Sequence, residues 1–121
     1  MTLTIIETKE TKSAEITTPE RVMRTLQEAL DLMAEANYLG ATGMIAQAEH
    51  FDPLFFDLSS GLAGSILQKF SQYQMKLAII GDFNKYPSKS LKAFIAESNR
   101  GNQIFFVDSR EAAIERLTTA S

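Results

Sequence analysis

Apolar residues recur along this chain with two different periods, and the switches between them lay out an alternating order of strands and helices. Leu3-Thr4-Ile5 alternates apolar and polar, which predicts a strand with one wet face. Lys9 to Lys12 is charged and turn-like, and Ala14-Glu15-Ile16 then predicts a short second strand pairing back on the first. Thr18-Pro19-Glu20 carries a helix-start signal: a hydroxyl N-cap, proline at the first helical position and an acid in the first turn. Val22, Leu26, Ala29, Leu30 and Met33 follow at helical spacing, and Tyr38-Leu39-Gly40 closes the element with a glycine C-cap. Met44-Ile45-Ala46 predicts a third strand. Leu62, Ala63, Ile66, Leu67 and Phe70 form the stripe of a helix beginning near Ser59 or Ser60. Leu77-Ala78-Ile79-Ile80 is a continuous apolar run ended by Gly81-Asp82, the pattern of a central parallel strand covered on both faces. Ser88 caps a third helix, with Leu91, Phe94 and Ile95 inward and Gly101 just past its end. Ile104 to Val107 is a second buried run, and Asp108 with Glu111 forms a capping-box-like start to a last helix carrying Ala113, Ile114 and Leu117.

That order implies parallel pairing through right-handed crossovers over most of the chain. The expected fold is α/β: a mixed four- to five-stranded sheet, with an N-terminal hairpin and then parallel strands, and about four helices. The length of 121 residues makes 1–121 a single domain. No repeat, low-complexity tract or Pro/Gly-rich linker divides it.

Composition narrows the chemistry. With 45% apolar and 22% charged residues the chain has the make-up of a globular protein. It has no cysteine, which excludes disulfides, a thiolate nucleophile and Cys-based metal sites, and a single histidine, His50, which excludes a histidine-cluster metal site. A net charge of −3 without a basic stretch argues against nucleic acid as the main partner. No apolar run approaches the ~20 residues that cross a bilayer, and Met1–Lys12 lacks the pattern of a secretory signal. The expected location is cytoplasmic, away from the membrane.

In an open α/β sheet, ligands gather beyond the carboxyl ends of the strands. Three loops lie there: Phe55–Gly61, Gly81–Ser88 and Asp108-Ser109. They place Asp57, Ser59, Ser60, Asp82 and Asp108 along one edge. The Ser59-Ser60-Gly61 stretch puts hydroxyls where helix N–H groups are unpaired and the dipole is positive, so a bound or covalently attached phosphate is favoured there. The plainer reading is that one serine caps the helix while the glycines let it pack closely against the sheet. Asp57, Asp82 and Asp108 are compatible with a magnesium ion, although receiver-like acids after the first strand and a lysine after the last are missing. His50, Ser59 and Asp57 have the residue types of a nucleophilic triad but no G-x-S-x-G elbow, and a lone histidine is more often a surface residue. Gly61-Leu62-Ala63-Gly64 lacks the G-x-G-x-x-G spacing of a dinucleotide site. Asn99-Arg100-Gly101 reads as a helix C-cap with a cation near the negative dipole end, and Lys85, Lys89 and Lys92 as a solvated face. Phe83 and Tyr86 are either an exposed docking patch or buried anchors. No catalytic residue, metal or cofactor is assigned.

Two resemblances follow. The span from about Leu26 to Leu117 resembles an uncharacterised bacterial family, domain of unknown function 4180. It does so through Ala29-Leu30-Asp31-Leu32, Phe55-Phe56-Asp57-Leu58, Gly61-Leu62-Ala63-Gly64, Leu67-Gln68-Lys69-Phe70, Lys76 to Phe83, Ser88-Lys89-Ser90-Leu91 and Glu97 to Gly101. More distantly, the element order is similar to STAS domains, the anti-sigma-factor-antagonist class. Those carry an Asp-Ser-Ser-Gly-Leu-Gly type motif at the start of the helix after the third strand. Ser59-Ser60-Gly61-Leu62-Ala63 matches its Ser-Ser-Gly-Leu part, whereas Leu58 occupies the acidic position and Asp57 lies one residue early. The resemblance implies a non-catalytic signalling or interaction module with Ser60 as phosphoacceptor, Ser59 its neighbour, and a kinase or regulator as partner. Two other readings stand beside it: a small-ligand or anion-binding domain on the same helix start, and a metal-dependent enzyme on the Asp57/Asp82 edge. The antiparallel N-terminal strands leave a homodimer open.

Overall fold

The structure, a computed structural model, describes residues 2–8 and 11–119. Lys9 and Glu10, in the turn expected between the first two strands, lie outside the described residues. The strands are β1 (Leu3–Thr8), β2 (Thr11–Ile16), β3 (Gly43–Gln47), β4 (Lys76–Ile80) and β5 (Ile104–Val107). They form one sheet in the order β1-β2-β3-β4-β5, with β1 antiparallel to β2 and the remaining pairs parallel. The helices are α1 (Leu26–Tyr38), α2 (Leu62–Gln72), α3 (Lys89–Arg100) and α4 (Arg110–Thr119). The mixed α/β architecture expected from the sequence is the one observed.

Because each crossover steps to the next strand in the same direction, a constant right hand puts the intervening helices on one face. Ala29 and Met33 of α1, Ala63, Ile66 and Phe70 of α2 and Leu91 of α3 accordingly share one core with Leu3, Ala14, Met44, Leu77 and Phe106. The opposite face belongs to α4, whose Ala113 and Leu117 pack on Ile45, Ala78, Ile80 and Phe105. Two arginines fix α4 there. Arg110 forms a forked pair with Glu15 of β2 (Nε 2.8 Å, Nη2 3.1 Å), and Arg116 stacks 4.3 Å from the centre of the Phe105 ring while Nη2 donates to the Asn99 carbonyl at 2.6 Å.

Helix boundaries depart from expectation in three places. α1 does not start at Thr18: residues 17–25 run as an irregular connection that bends at 19–20 and 24–25, and Met23 forms a parallel bridge with Phe51. The working cap is Thr25, whose hydroxyl accepts from Glu28 N–H at 3.1 Å, while the Glu28 carboxylate accepts from the Arg24 N–H at 2.8 Å and grips the Arg24 guanidinium at 2.7 Å. This reciprocal arrangement outweighs the Thr18-Pro19 signal because it satisfies more of the unpaired donors of the first turn. At α4 the cap is Ser109 rather than Asp108, with Ser109 Oγ accepting from Ala112 N–H at 3.1 Å. α2 starts at Leu62, after Ser59 and Ser60. The end of α1 matches expectation: Gly40 at φ +88° lets its own N–H reach Asn37 O and the Ala41 N–H reach Ala36 O, a Schellman closure.

The Arg24 side chain and then its backbone N–H hold the Glu28 carboxyl below its ordinary pKa. A carboxyl lowered in this way contributes stability that is fully present above its unfolded value, about 4.3, and is lost as pH falls through the folded value. Urea unfolding of wild type and Glu28→Gln should therefore differ most at neutral pH and converge in acid. A gap that widened on acidification would contradict this account of the α1 cap.

Candidate functional site

The carboxyl edge of the sheet is built chiefly by the segment between β3 and α2. From Gln47 the chain passes through three short 3₁₀ turns, Ala48–His50, Pro53–Phe56 and Leu58–Ser60, before α2 begins. Aspartates start two of them: Asp52 Oδ1 accepts from Leu54 N–H at 2.9 Å, and Asp57 Oδ1 accepts from Ser59 N–H at 3.1 Å. Asp82 repeats the device after β4, accepting from Asn84 N–H at 3.1 Å. Short aspartate side chains reproduce a backbone turn at these positions. Asp57 and Asp82, two of the three acids expected to gather a cation, are thus engaged with their own turns. Among the described residues no group of three or more His, Cys, Asp or Glu could hold a metal ion.

His50 is 3% exposed, not the surface residue expected. Its Nδ1 accepts from Gln47 N–H at 2.8 Å, and its Nε2 lies 2.7 Å from Thr18 O. Only the tautomer protonated at Nε2 satisfies both partners, because an N–H already points at Nδ1. The His50 carbonyl in turn accepts from Val22 and Met23 N–H at 3.1 and 3.0 Å. His50 therefore ties the connection before α1 to the loop after β3. Both ring nitrogens are committed to backbone, which leaves the imidazole without a role toward Ser59.

Aromatic rings fill the rest of the edge. Phe51, Phe55 and Phe56 follow one another at centroid distances of 4.2 and 5.0 Å, and Phe56 stacks on Tyr86 at 5.0 Å. Phe83 meets Tyr86 at 6.5 Å and Phe106 edge-on at 5.2 Å. Phe83 and Tyr86, expected as either an exposed docking patch or buried anchors, are partly buried and pack on the main core. Lys85 places its ammonium 5.4 Å from the Tyr86 ring centre.

The predicted site residues fall into separate grooves. Ser60 and Gly61 line a groove of about 460 Å³ with Arg24, Thr25, Asp52 and Ser65, between the starts of α1 and α2. Asp82, Phe83 and Asp108 line another of about 650 Å³ with Glu115 and Arg116, beside α4. Tyr86 borders a smaller hollow of about 170 Å³ with Arg21, Glu49 and Lys85. Asp57 lines none of these three; its Oδ1 receives the Ser59 hydroxyl at 2.6 Å.

Within the Ser59–Gly64 stretch, the serines occupy their own 3₁₀ turn and Gly61 is the α2 N-cap, at φ +81°. The left-handed glycine turns the chain sharply, so neither hydroxyl caps α2 in the ordinary way. Ser60 is the more deeply engaged: its Oγ donates to Leu54 O at 2.7 Å and accepts from Leu62 N–H at 3.2 Å. It joins two 3₁₀ turns to α2. Neither glycine packs closely, since a Cβ on Gly61 or Gly64 would meet no atom within 4 Å. Close packing belongs instead to Gly81, where a Cβ would come 2.9 Å from that of Ala48. The sequence reading missed Arg24, though it follows from the Thr25-x-x-Glu28 capping pattern, which fixes the α1 start and hence the residue just before it.

The fold and edge define an α/β domain with a parallel core whose strand-end loops carry a polar-capped aromatic cluster. Over residues 8–117 the sequence matches the model of a family described as a domain of unknown function, DUF4180, and the chain belongs to that family. No curated protein and no solved structure matches it.

Opposite effects are expected at the two glycines. Gly64→Ala in open space should raise the unfolding free energy by about 0.5–1 kcal/mol, and Gly61→Ala, forced to positive φ, should lower it by about 1–2 kcal/mol. Urea midpoints moving in the same direction would contradict this geometry.

Proposed function

We propose that this domain is a non-catalytic, STAS-like interaction module of the bacterial cytoplasm, switched by phosphorylation of Ser60. The observation that carries the reading is the double hydrogen bond of Ser60 Oγ, at the rim of the groove that also holds Arg24. Phosphoryl transfer from ATP by a partner kinase replaces the hydroxyl proton. That removes the donor to Leu54 O and adds about two negative charges beside the start of α2. The 53–56 turn, whose Leu54 is already 55% exposed, then loses one of its ties to α2. Arg24, held by Glu28 in the present state, is the nearest cation in the groove for the new charge. A kinase or regulator would distinguish the two surfaces. The STAS resemblance of Ser59-Ser60-Gly61-Leu62 supports this assignment, with Ser59, whose hydroxyl is bonded to Asp57, as the neighbour of the acceptor.

A second reading uses the same groove. Arg24, the Ser60 and Ser65 hydroxyls and the first turns of α1 and α2 also suit a free anion such as inorganic phosphate.

Incubation with ATP and lysate of the native host should add one phosphate to the intact mass of the wild type and of Ser59→Ala, and none to Ser60→Ala. A pull-down with Ser60→Glu should recover a different partner set from the wild type. No mass shift, or one that persists in Ser60→Ala, would contradict the switch. A melting temperature raised by inorganic phosphate and insensitive to the kinase arm would favour the anion site.

A further inference from the structure

The two edges of the sheet are finished differently. At β5 the register with β4 turns the Phe106 N–H and C=O outward, because Gln103 O and Val107 O accept from Leu77 and Gly81. The Asn99 side chain covers that position: Phe106 N–H donates to its Oδ1 at 2.7 Å, and its Nδ2 donates to Phe106 O at 3.1 Å. A side-chain amide standing in for a neighbouring strand is a way of closing an edge.

β1 has no such closure among the described residues. Thr17 N–H donates to Thr2 O at 2.9 Å, and the antiparallel register continues from there through Thr4 with Glu15, Ile6 with Ser13 and Thr8 with Thr11. Alternation therefore turns the backbone groups of Leu3, Ile5 and Glu7 away from β2. The described strand contains no proline, lysine or bulge to protect them. Each of the two cores also reaches β1 on a partly exposed isoleucine, Ile5 on the α1–α3 face and Ile6 on the α4 face.

We propose that β1 is a dimerisation edge whose occupant is β1 of a second copy, related by a two-fold axis perpendicular to the sheet and centred on Ile5. In that register Ile5 faces Ile5 of the other copy and Leu3 faces its Glu7, each pair exchanging two N–H···O=C bonds through the groups turned away from β2. The two Glu7 carboxylates stay apart, so the only charged residue of β1 meets no like charge. Glu7 keeps its own neighbour, Lys12, at 3.6 Å. Ile5 and Ile6 then extend both core layers across the axis, and the sheet runs continuously from one β5 to the other, with Asn99 closing it at each end.

Sedimentation of the full chain over a concentration series, joined to amide hydrogen exchange, tests this. The expected result is a monomer–dimer equilibrium in which Leu3, Ile5 and Glu7 amides gain protection as the dimer forms, while Thr4, Ile6 and Thr8 are protected throughout. Ile5→Lys, which sets like charges opposite each other, should shift the equilibrium to monomer. The exchange pattern of the unaltered protein decides the case if that variant folds poorly. A monomer at every concentration, or a dimer in which the Leu3, Ile5 and Glu7 amides exchange as fast as in the monomer, would overturn the proposal.

Discussion

Much of this structure depends on one imidazole. His50 accepts a backbone N–H from its own turn and donates to Thr18, 32 residues earlier in the chain, while its carbonyl holds Val22 and Met23. Those bonds position the connection that delivers Thr25 and Glu28 to the start of α1. They also position Phe51, from which the aromatic row spreads over the strand ends. A buried polar ring of this kind is tolerated because every donor and acceptor on it is matched; removing the ring would leave Gln47 N–H and Thr18 O to be satisfied some other way. Beyond β3 the carboxyl edge, elsewhere the open end of such sheets, is here a packed layer beside that ring.

The consequence for function is a separation of roles among residues that look alike in the sequence. Asp52, Asp57 and Asp82 build turns. Phe56, Phe83 and Tyr86 fill volume. Ser60 differs from all of them in carrying a groove-lining hydroxyl whose proton ties the 53–56 turn to the start of α2. A covalent change at that atom alters hydrogen bonding and charge together, which is what a two-state surface requires.

Strand identity and order were legible because β4 and β5 are short uninterrupted apolar runs and because helical stripes separate them. The stripe residues Ala29, Met33, Ile66 and Phe70 are all buried as their spacing required. Local polar chemistry was less legible. Thr18-Pro19-Glu20 has every mark of a helix start, yet Thr18 O is held by the His50 ring and the segment is not helical, and a contact between residues 18 and 50 leaves no trace in either local pattern. Asn99 read as part of a helix end, but its side chain serves β5. Ser59 and Ser60 were placed on the correct edge, while their separation from α2 depends on the left-handed conformation of Gly61. Such roles are set by tertiary partners, which spacing along the chain does not encode.

The most direct test of the account is the tautomer and exchange behaviour of the His50 ring, read from long-range proton–nitrogen NMR correlations of the intact protein. The structure predicts a proton resident on Nε2, slow to exchange because it is bonded to Thr18 O, and a bare Nδ1 shifted by the Gln47 N–H. A ring protonated at Nδ1, or one averaging rapidly between tautomers, would mean that the carboxyl edge is not held in the way described.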